Sequence, residues 1–372
     1  LKTPTIAVLR SNPKDAALAR LVNSLAKLAR VECLVWDRQH DFQPAAAGES
    51  IRYLRCGLRA GFYDLGTLFK LVLFQIWLFA RLLVLRCDVI HAIDLDTGLT
   101  GWLAARLRGK RFVYQCLDPY YAILPPGWPQ FLADWARRLE NRLISGADLF
   151  VITDLLRLPQ HAGAKPRRVV EVANVPVLPE FSAPPTRSDA FTVGYLGSLI
   201  EGRNLATVID ACGELEPQGV RLVIGGFGPL EKEIAARAAR WPNVTFLAWL
   251  PYETMLEEEA GFDLFFHITD PANEAQRWVS PNKLFEAMAF GKPILVGRET
   301  LAARRVEAFG NGVAVRYGSK QELQKAILRL KDNPALARAM GEKGRAEFTR
   351  NWRPELMEER LLAAYAKIPH NP

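Results

Sequence analysis

From Thr5 to Val315, short apolar runs alternate with stretches of helical spacing, and that alternation leaves few folds open. A strand covered on both faces reads as a continuous apolar run, and a parallel neighbour needs a crossover helix before the chain can return. The runs Thr5–Arg10 (TIAVLR), Val31–Trp36, Asp88–Ile93, Arg111–Cys116, Asp148–Thr153 and Arg168–Ala173 fit that description. The pattern breaks at Asn174–Asp189, where four prolines and no periodicity mark a linker. It resumes with Phe191–Leu196, Arg221–Gly226, Asn243–Ala248, Asp263–Ile268, Pro293–Val296 and Gly312–Val315. The expectation is an α/β chain of two doubly wound, Rossmann-like domains facing across a cleft. Their expected bounds are residues 1–178 and 191–350, with a linker at 179–190. Ser319 and Glu322 form a capping-box pattern, and a C-terminal helix within 351–372 is expected to cross back to the first domain.

Composition narrows the setting. Of 372 residues, 49% are hydrophobic and 24% charged, the mix of a folded protein rather than a disordered one. The cysteines, Cys33, Cys56, Cys87, Cys116 and Cys212, are odd in number and show no C-x-x-C pairing. That usage fits a reducing compartment and excludes both a disulfide framework and a zinc site. No signal-peptide pattern opens the sequence, so a cytoplasmic location is expected.

The net charge of +8 lies entirely in the first half, where residues 1–178 hold 24 Lys and Arg against 15 Asp and Glu. Such a domain faces water or something anionic, a membrane leaflet or nucleic acid. The basic residues are not interleaved with a reader motif, which argues against nucleic acid. Asp64–Arg86 is the most hydrophobic stretch, but its uncharged core, Leu71–Ala80, is half of what a spanning helix needs. It reads as a core helix or one lying in a membrane interface, with Lys70 and Arg81 near one face. Trp128, flanked by prolines, suits a headgroup region.

In open α/β sheets ligands collect beyond the carboxyl ends of the strands. In the second half those loops are GSLIEGRNL (Gly197–Leu205), GGFGPLE (Gly225–Glu231), AWLPYE (Ala248–Glu253) and the segment leading into SPNKLFEAMAFGKPILVG (Ser280–Gly297). Ser280 is placed to cap a helix, Pro281 suits its first position and Gly291 stops it. Lys283 in the first turn, where the dipole disfavours a cation, needs a reason, and an anion in front of the free N–H groups would supply one. Together the loops offer glycines for close approach, the cations Arg203 and Lys283, and the carboxylate Glu286. That set suits a nucleoside diphosphate, although GGFGPLE lacks the full dinucleotide spacing.

YLGSLIEGRNLATVIDA, RLVIGGFGPLEKEI, NVTFLAWLPYE and SPNKLFEAMAFGKPILVG occur in an order and spacing that resembles the retaining nucleotide-sugar glycosyltransferases of family 4, with the GT-B fold. The first half resembles them more weakly, through DVIHAIDLDTGLTGWLAARLRGKRFVYQCLDPY. The resemblance implies that Arg203 stands at the family's diphosphate-binding lysine, that Lys283 also reaches the phosphates, and that Glu286 holds the ribose. It places Ser198, Gly226, Gly228, Pro251, Ser280, Asn282 and Leu284 around the donor, and Ser11, Asn12 and Lys14 on the loop that closes over it. Three positions depart from the pattern. Ser198 replaces an arginine, Trp278 replaces the first glutamate of a pair, and Leu117 replaces the active-site histidine, with Asp118 beside it.

The implied activity is transfer of a sugar from a nucleoside-diphosphate sugar to a lipid-linked or oligosaccharide acceptor at the inner membrane face. Arg203 and Lys283 would stabilise the leaving phosphate and Asp118 would position the sugar or acceptor. The acceptor and membrane side would carry Lys14, Lys70, Arg81 and Trp128. No cofactor and no metal are expected: Asp94–Asp96 spells D-x-D, but at the wrong place for metal-dependent transfer. His91 and His267 read as packed strand residues. The rival readings are a sugar-nucleotide epimerase and a non-catalytic nucleotide- or lipid-binding subunit.

Overall fold

The computed structural model describes residues 3–14, 16–44, 48–61, 65–124, 128–178 and 190–368. The chain divides into two compact units, Leu1–Asn174 with Glu355–Pro372, and Val175–Pro354. Of the expected linker, residues 179–189 lie outside the described residues.

The first unit holds seven parallel strands: β1 (Thr5–Arg10), β2 (Arg30–Trp36), β3 (Ile51–Cys56), β4 (Val89–Ile93), β5 (Arg111–Cys116), β6 (Leu149–Ile152) and β7 (Val169–Glu171). Their order is β3-β2-β1-β4-β5-β6-β7, so the winding reverses between β1 and β4. β3 was not expected from the sequence. Its run IRYLRC carries Arg52 and Arg55 on an edge strand, where charge blocks further pairing and hides the apolar signal.

Successive residues of each strand face opposite layers. Ala7, Leu9, Leu34 and Trp36 pack against Phe74, Leu78 and Leu82 of the helix Leu65–Val84. Ile6, Val8, Val31 and Val113 pack against Leu361, Tyr365 and Ile368, so the C-terminal helix Pro354–Ala366 belongs to this unit. His91, fully buried on β4, hydrogen-bonds with the Tyr365 hydroxyl and with Gln115 Oε1 at 3.0 Å. It is the packed histidine the sequence led us to expect.

The second unit holds six parallel strands: β8 (Phe191–Ser198), β9 (Val220–Phe227), β10 (Val244–Leu247), β11 (Leu264–His267), β12 (Ile294–Gly297) and β13 (Gly312–Val315). Their order is β10-β9-β8-β11-β12-β13, with the reversal between β8 and β11. All six match runs legible in the sequence. Ser319 caps the helix Lys320–Lys331 as expected, accepting from Glu322 N. The Glu322 carboxylate turns instead to Arg316 N at 3.1 Å, so only half of the capping box forms.

A polar cluster is sealed inside the first unit. Tyr114 donates to Glu140 Oε1 at 2.8 Å, with Cys116 Sγ 3.8 Å from the same oxygen and His161 Nδ1 3.9 Å from the other. Burial pushes the Glu140 carboxyl up to about 8 and the His161 imidazole down to about 4. A carboxyl raised on folding stabilises most below its unfolded pKa and loses that contribution as pH rises through its folded value. Between pH 6.5 and 8, stability should therefore fall, by at most about 1.4 kcal/mol per pH unit for one such group. Urea midpoints measured across that window should show a shallower slope in Glu140→Gln than in the parent chain.

Candidate functional site

The switch point of the second unit gathers the chemistry. β8 ends at Ser198, β11 ends at His267, and the helix Asn282–Phe290 starts nearby. Arg203, on the loop after β8, is half-buried; its Nη1 lies 3.2 Å from the Tyr195 hydroxyl and 3.4 Å from His267 Nδ1. Tyr195 in turn donates to the main-chain oxygen of Ser198 at 2.9 Å, which fixes the loop that carries Arg203. A side chain at Gly197 would press on the Tyr195 hydroxyl and approach Lys283 Cε, so this glycine keeps the cluster compact.

Lys283 answers to the protein's own carboxylates. Its ammonium sits 2.5 Å from Glu286 Oε2 and 2.6 Å from Glu259 Oε1, and all three side chains are at least nine-tenths buried. Burial disfavours the charged lysine, but Glu259 and Glu286 more than offset this and hold its pKa above the usual value. Burial and the neighbouring Glu286 push the Glu259 carboxyl well above the carboxylate range, with Lys283 opposing them. His267 is driven far down, by burial first and then by Arg203 and Lys283, so it stays neutral. It is buried as expected but incompletely satisfied, since its Nε2 has no hydrogen-bond partner among the described residues.

One expectation needs correction, and two others gain a structural account. The helix opens one residue later than its sequence implied: Pro281 is the extended N-cap residue and Asn282 the first helical one, so Ser280 precedes the cap. The glycines of GGFGPLE are required by the fold itself. Gly226 (φ 129°) and Gly228 (φ 150°) would drive a Cβ into the main-chain oxygens of Gly197 and Leu199, at 1.8 and 2.4 Å, so they let one strand-end loop close on the next. Lys283 needs no external anion, because the counter-charge its position demands is internal.

The other residues that the resemblance singled out in this unit differ in exposure. Pro251 is exposed at the start of the helix Tyr252–Ala260, Asn282 is exposed, Ser280 is half-buried and Leu284 is fully buried. Trp278, where the family pattern has a glutamate, lies under the Arg304 guanidinium, 5.3 Å from its ring centroid. Glu259 was missed by the sequence reading. Its signal was phase: it follows buried Leu256 by three residues, on the inward face of its helix.

The first unit has its own polar cluster at the β1/β4 switch point. Arg10 pairs with Asp94, Ser11 donates to Asp96, and Asp94 Oδ1 accepts from Leu117 N at 2.7 Å and Asp118 N at 3.4 Å. Asp94 sits at φ 62°, a backbone conformation that costs a residue with a Cβ energy. Burial raises its carboxyl to about 6 against the pull of Arg10. Asp118 is exposed, 3.6 Å from Arg157, which also donates to Leu117 O at 2.5 Å. Lys14 is paired with Asp41 and Gln39 at 2.6 Å each, Asn12 is exposed, Lys70 is half-buried, and Arg81 and Trp128 are exposed. The sequence reading singled out Asp118 but not the Arg10–Asp94 pair that anchors its loop.

Comparison with known proteins bears on the family and the fold. Residues 15–175 match the family model described as a glycosyl transferase 4-like domain, and residues 206–363 match one described as glycosyl transferase-like. Both halves of the chain thus match glycosyl transferase models, and its fold is that of the GT-B glycosyltransferases. The chain is 31% identical over 146 residues to a GDP-mannose-dependent monoacylated alpha-(1-6)-phosphatidylinositol monomannoside mannosyltransferase of Corynebacterium glutamicum. That match spans 38% of the chain and 37% of the relative's length. Its fold is similar to sucrose-phosphate synthase of Thermosynechococcus elongatus (TM-score 0.77, 16% identity, 98% of each chain). It is similar too to Anabaena HepE solved with UDP and glucose (TM-score 0.70, 17% identity, 98% of this chain and 99% of that one).

Proposed function

We propose that this GT-B glycosyltransferase moves a sugar from a nucleoside-diphosphate sugar to a lipid-linked saccharide acceptor, with retention, at the cytoplasmic face of the membrane. The observation that carries the donor half is the convergence of Arg203, Lys283 and Glu286 at the β8/β11 switch point, beside the positive end of the helix Asn282–Phe290. Two likenesses support it: the Anabaena protein was solved with UDP and glucose, and the Corynebacterium relative is named for GDP-mannose and a phosphatidylinositol mannoside. The excess positive charge of residues 1–178 supports an anionic surface on the acceptor side.

Breaking the anomeric bond leaves charge on the departing diphosphate, so catalysis falls to the groups that meet that charge. Arg203 does this directly, held in place by Tyr195 and His267. Lys283, held between Glu259 and Glu286, supplies fixed positive charge behind it, and Glu286 takes the ribose hydroxyls. Proton transfer from the acceptor to the leaving phosphate needs no strong protein base, which accommodates Leu117, and Asp118 positions the sugar or acceptor. Cations of the protein do the work a metal would do elsewhere, so no metal or other cofactor enters this reading.

A thermal-shift series with UDP, GDP, ADP and their sugars tests the donor site. One nucleotide class should stabilise the chain by about 2.7 kcal/mol at a hundred times its dissociation constant. No shift with any of them would overturn the reading. The engagement of Lys283 by carboxylates favours a second reading, a subunit that binds nucleotide without transfer; stabilisation with no sugar passed to any lipid extract would establish it.

A further inference from the structure

The helix Leu65–Val84 is apolar on the side that faces water as well as on the side that faces the core. Phe74, Leu78 and Leu82 are fully buried, while Phe69, Val72, Ile76, Leu83 and Val84 lie on the opposite side and range from 40% exposed (Leu83) to 75% (Val84). A surface helix ordinarily turns charged residues outward there. The neighbouring helix Leu95–Leu107 continues the patch with Leu103 and Leu107, 45% and 68% exposed. The two ends are tied together by Arg108, next in the chain to Leu107, which donates to Leu82 O and Leu85 O at 2.5 and 2.7 Å.

The exposed charges flanking this patch are mostly basic. Arg81, Arg86 and Arg106 are exposed, no acidic residue occurs from Leu65 to Cys87, and the carboxylate of Asp88, which follows, accepts from Thr5 N at 2.9 Å. Arg81 and Arg106 fold over the indoles of Trp77 and Trp102, 5.8 and 5.3 Å from the ring centroids. A second copy of the chain on this face would set cations against cations. A sheet of anionic headgroups over acyl chains complements both the rim and the apolar centre. No helix among the described residues is long and apolar enough to cross a membrane, so the face can only lie on one.

We propose that the outer faces of the helices Leu65–Val84 and Leu95–Leu107 dock on an anionic phospholipid bilayer, apolar side chains entering the headgroup boundary and arginines pairing with phosphates. This deepens the proposed function and rests on that reading for the membrane as the place where the acceptor is met.

Cosedimentation of the full chain with vesicles tests it. Vesicles with about 30% phosphatidylglycerol should bind at least about tenfold more tightly than pure phosphatidylcholine, and binding should weaken as salt rises. Ile76→Glu should lose most of it. Arg86→Gln with Arg106→Gln, which leaves the apolar centre alone, should lose the preference for anionic lipid. Equal binding to both vesicles, or binding that neither variant changes, would overturn the proposal. So would a dimer in solution that Ile76→Glu dissociates while vesicles bind nothing. Nucleotide-induced stabilisation, measured on the same variants, should match the parent chain. Its presence without vesicle binding sinks the surface alone, and its absence throughout sinks the donor reading alone.

Discussion

Lys283→Ala is expected to destabilise the second unit by about 3–5 kcal/mol, besides abolishing sugar transfer. The ammonium is the counter-ion of two buried carboxylates, Glu259 and Glu286, exposed by 0% and 1%. Without it both are left next to each other in a low-dielectric interior with no counter-charge. A solvent-facing phosphate ligand, which the first-turn position of Lys283 brings to mind, would leave the fold intact when removed. Urea unfolding separates the two cases: a midpoint equal to that of the parent chain would mean that the buried triad contributes nothing to stability.

Arg203→Ala should do the reverse. Arg203 is half-buried, and its two contacts, to Tyr195 and His267, are long at 3.2 and 3.4 Å, so little stability depends on it. Its expected contribution comes when charge develops on the leaving diphosphate, and losing one such donor lowers turnover by roughly a hundred- to a thousandfold, about 2.7–4 kcal/mol. Arg203→Lys should recover part of the rate, since it restores the charge but not the planar fork. Single-turnover transfer at saturating donor is the measurement, with the thermal midpoint as control. Unchanged turnover in Arg203→Ala would remove the guanidinium from the mechanism.

How the sequence reports this fold follows from where its signals lie. Strands covered on both faces, such as Leu149–Ile152 and Leu264–His267, are nearly pure apolar runs, and both sheets could be read from them. The edge strand Ile51–Cys56 could not, because its exposed arginines, one on each face, break the apolar run. In the site, Arg203 and Lys283 were legible as cations near one helix start, and the structure does bring them together, His267 feeling both. The partner of Lys283 was not legible. Glu259 comes from a helix more than twenty residues earlier, in a run of three glutamates of which only the third turns inward. The glycines Gly226 and Gly228 were visible, but not the main-chain oxygens of Gly197 and Leu199 that require them, since a positive-φ glycine announces a close approach without naming what approaches.

The return of the C-terminal helix to the first unit sets an order of assembly. A nascent chain emerges amino end first, and domains generally fold as units while it does so. The second unit is one continuous stretch, Val175–Pro354, and all its described strands precede the helix Pro354–Ala366 in the chain. The first unit lacks Leu361, Tyr365 and Ile368 until that helix has been made, and His91 lacks its hydroxyl partner. The half translated second is thus the half completed first. Its predecessor waits with one apolar layer covered only in part, by Leu18, Leu21, Val22 and Leu25.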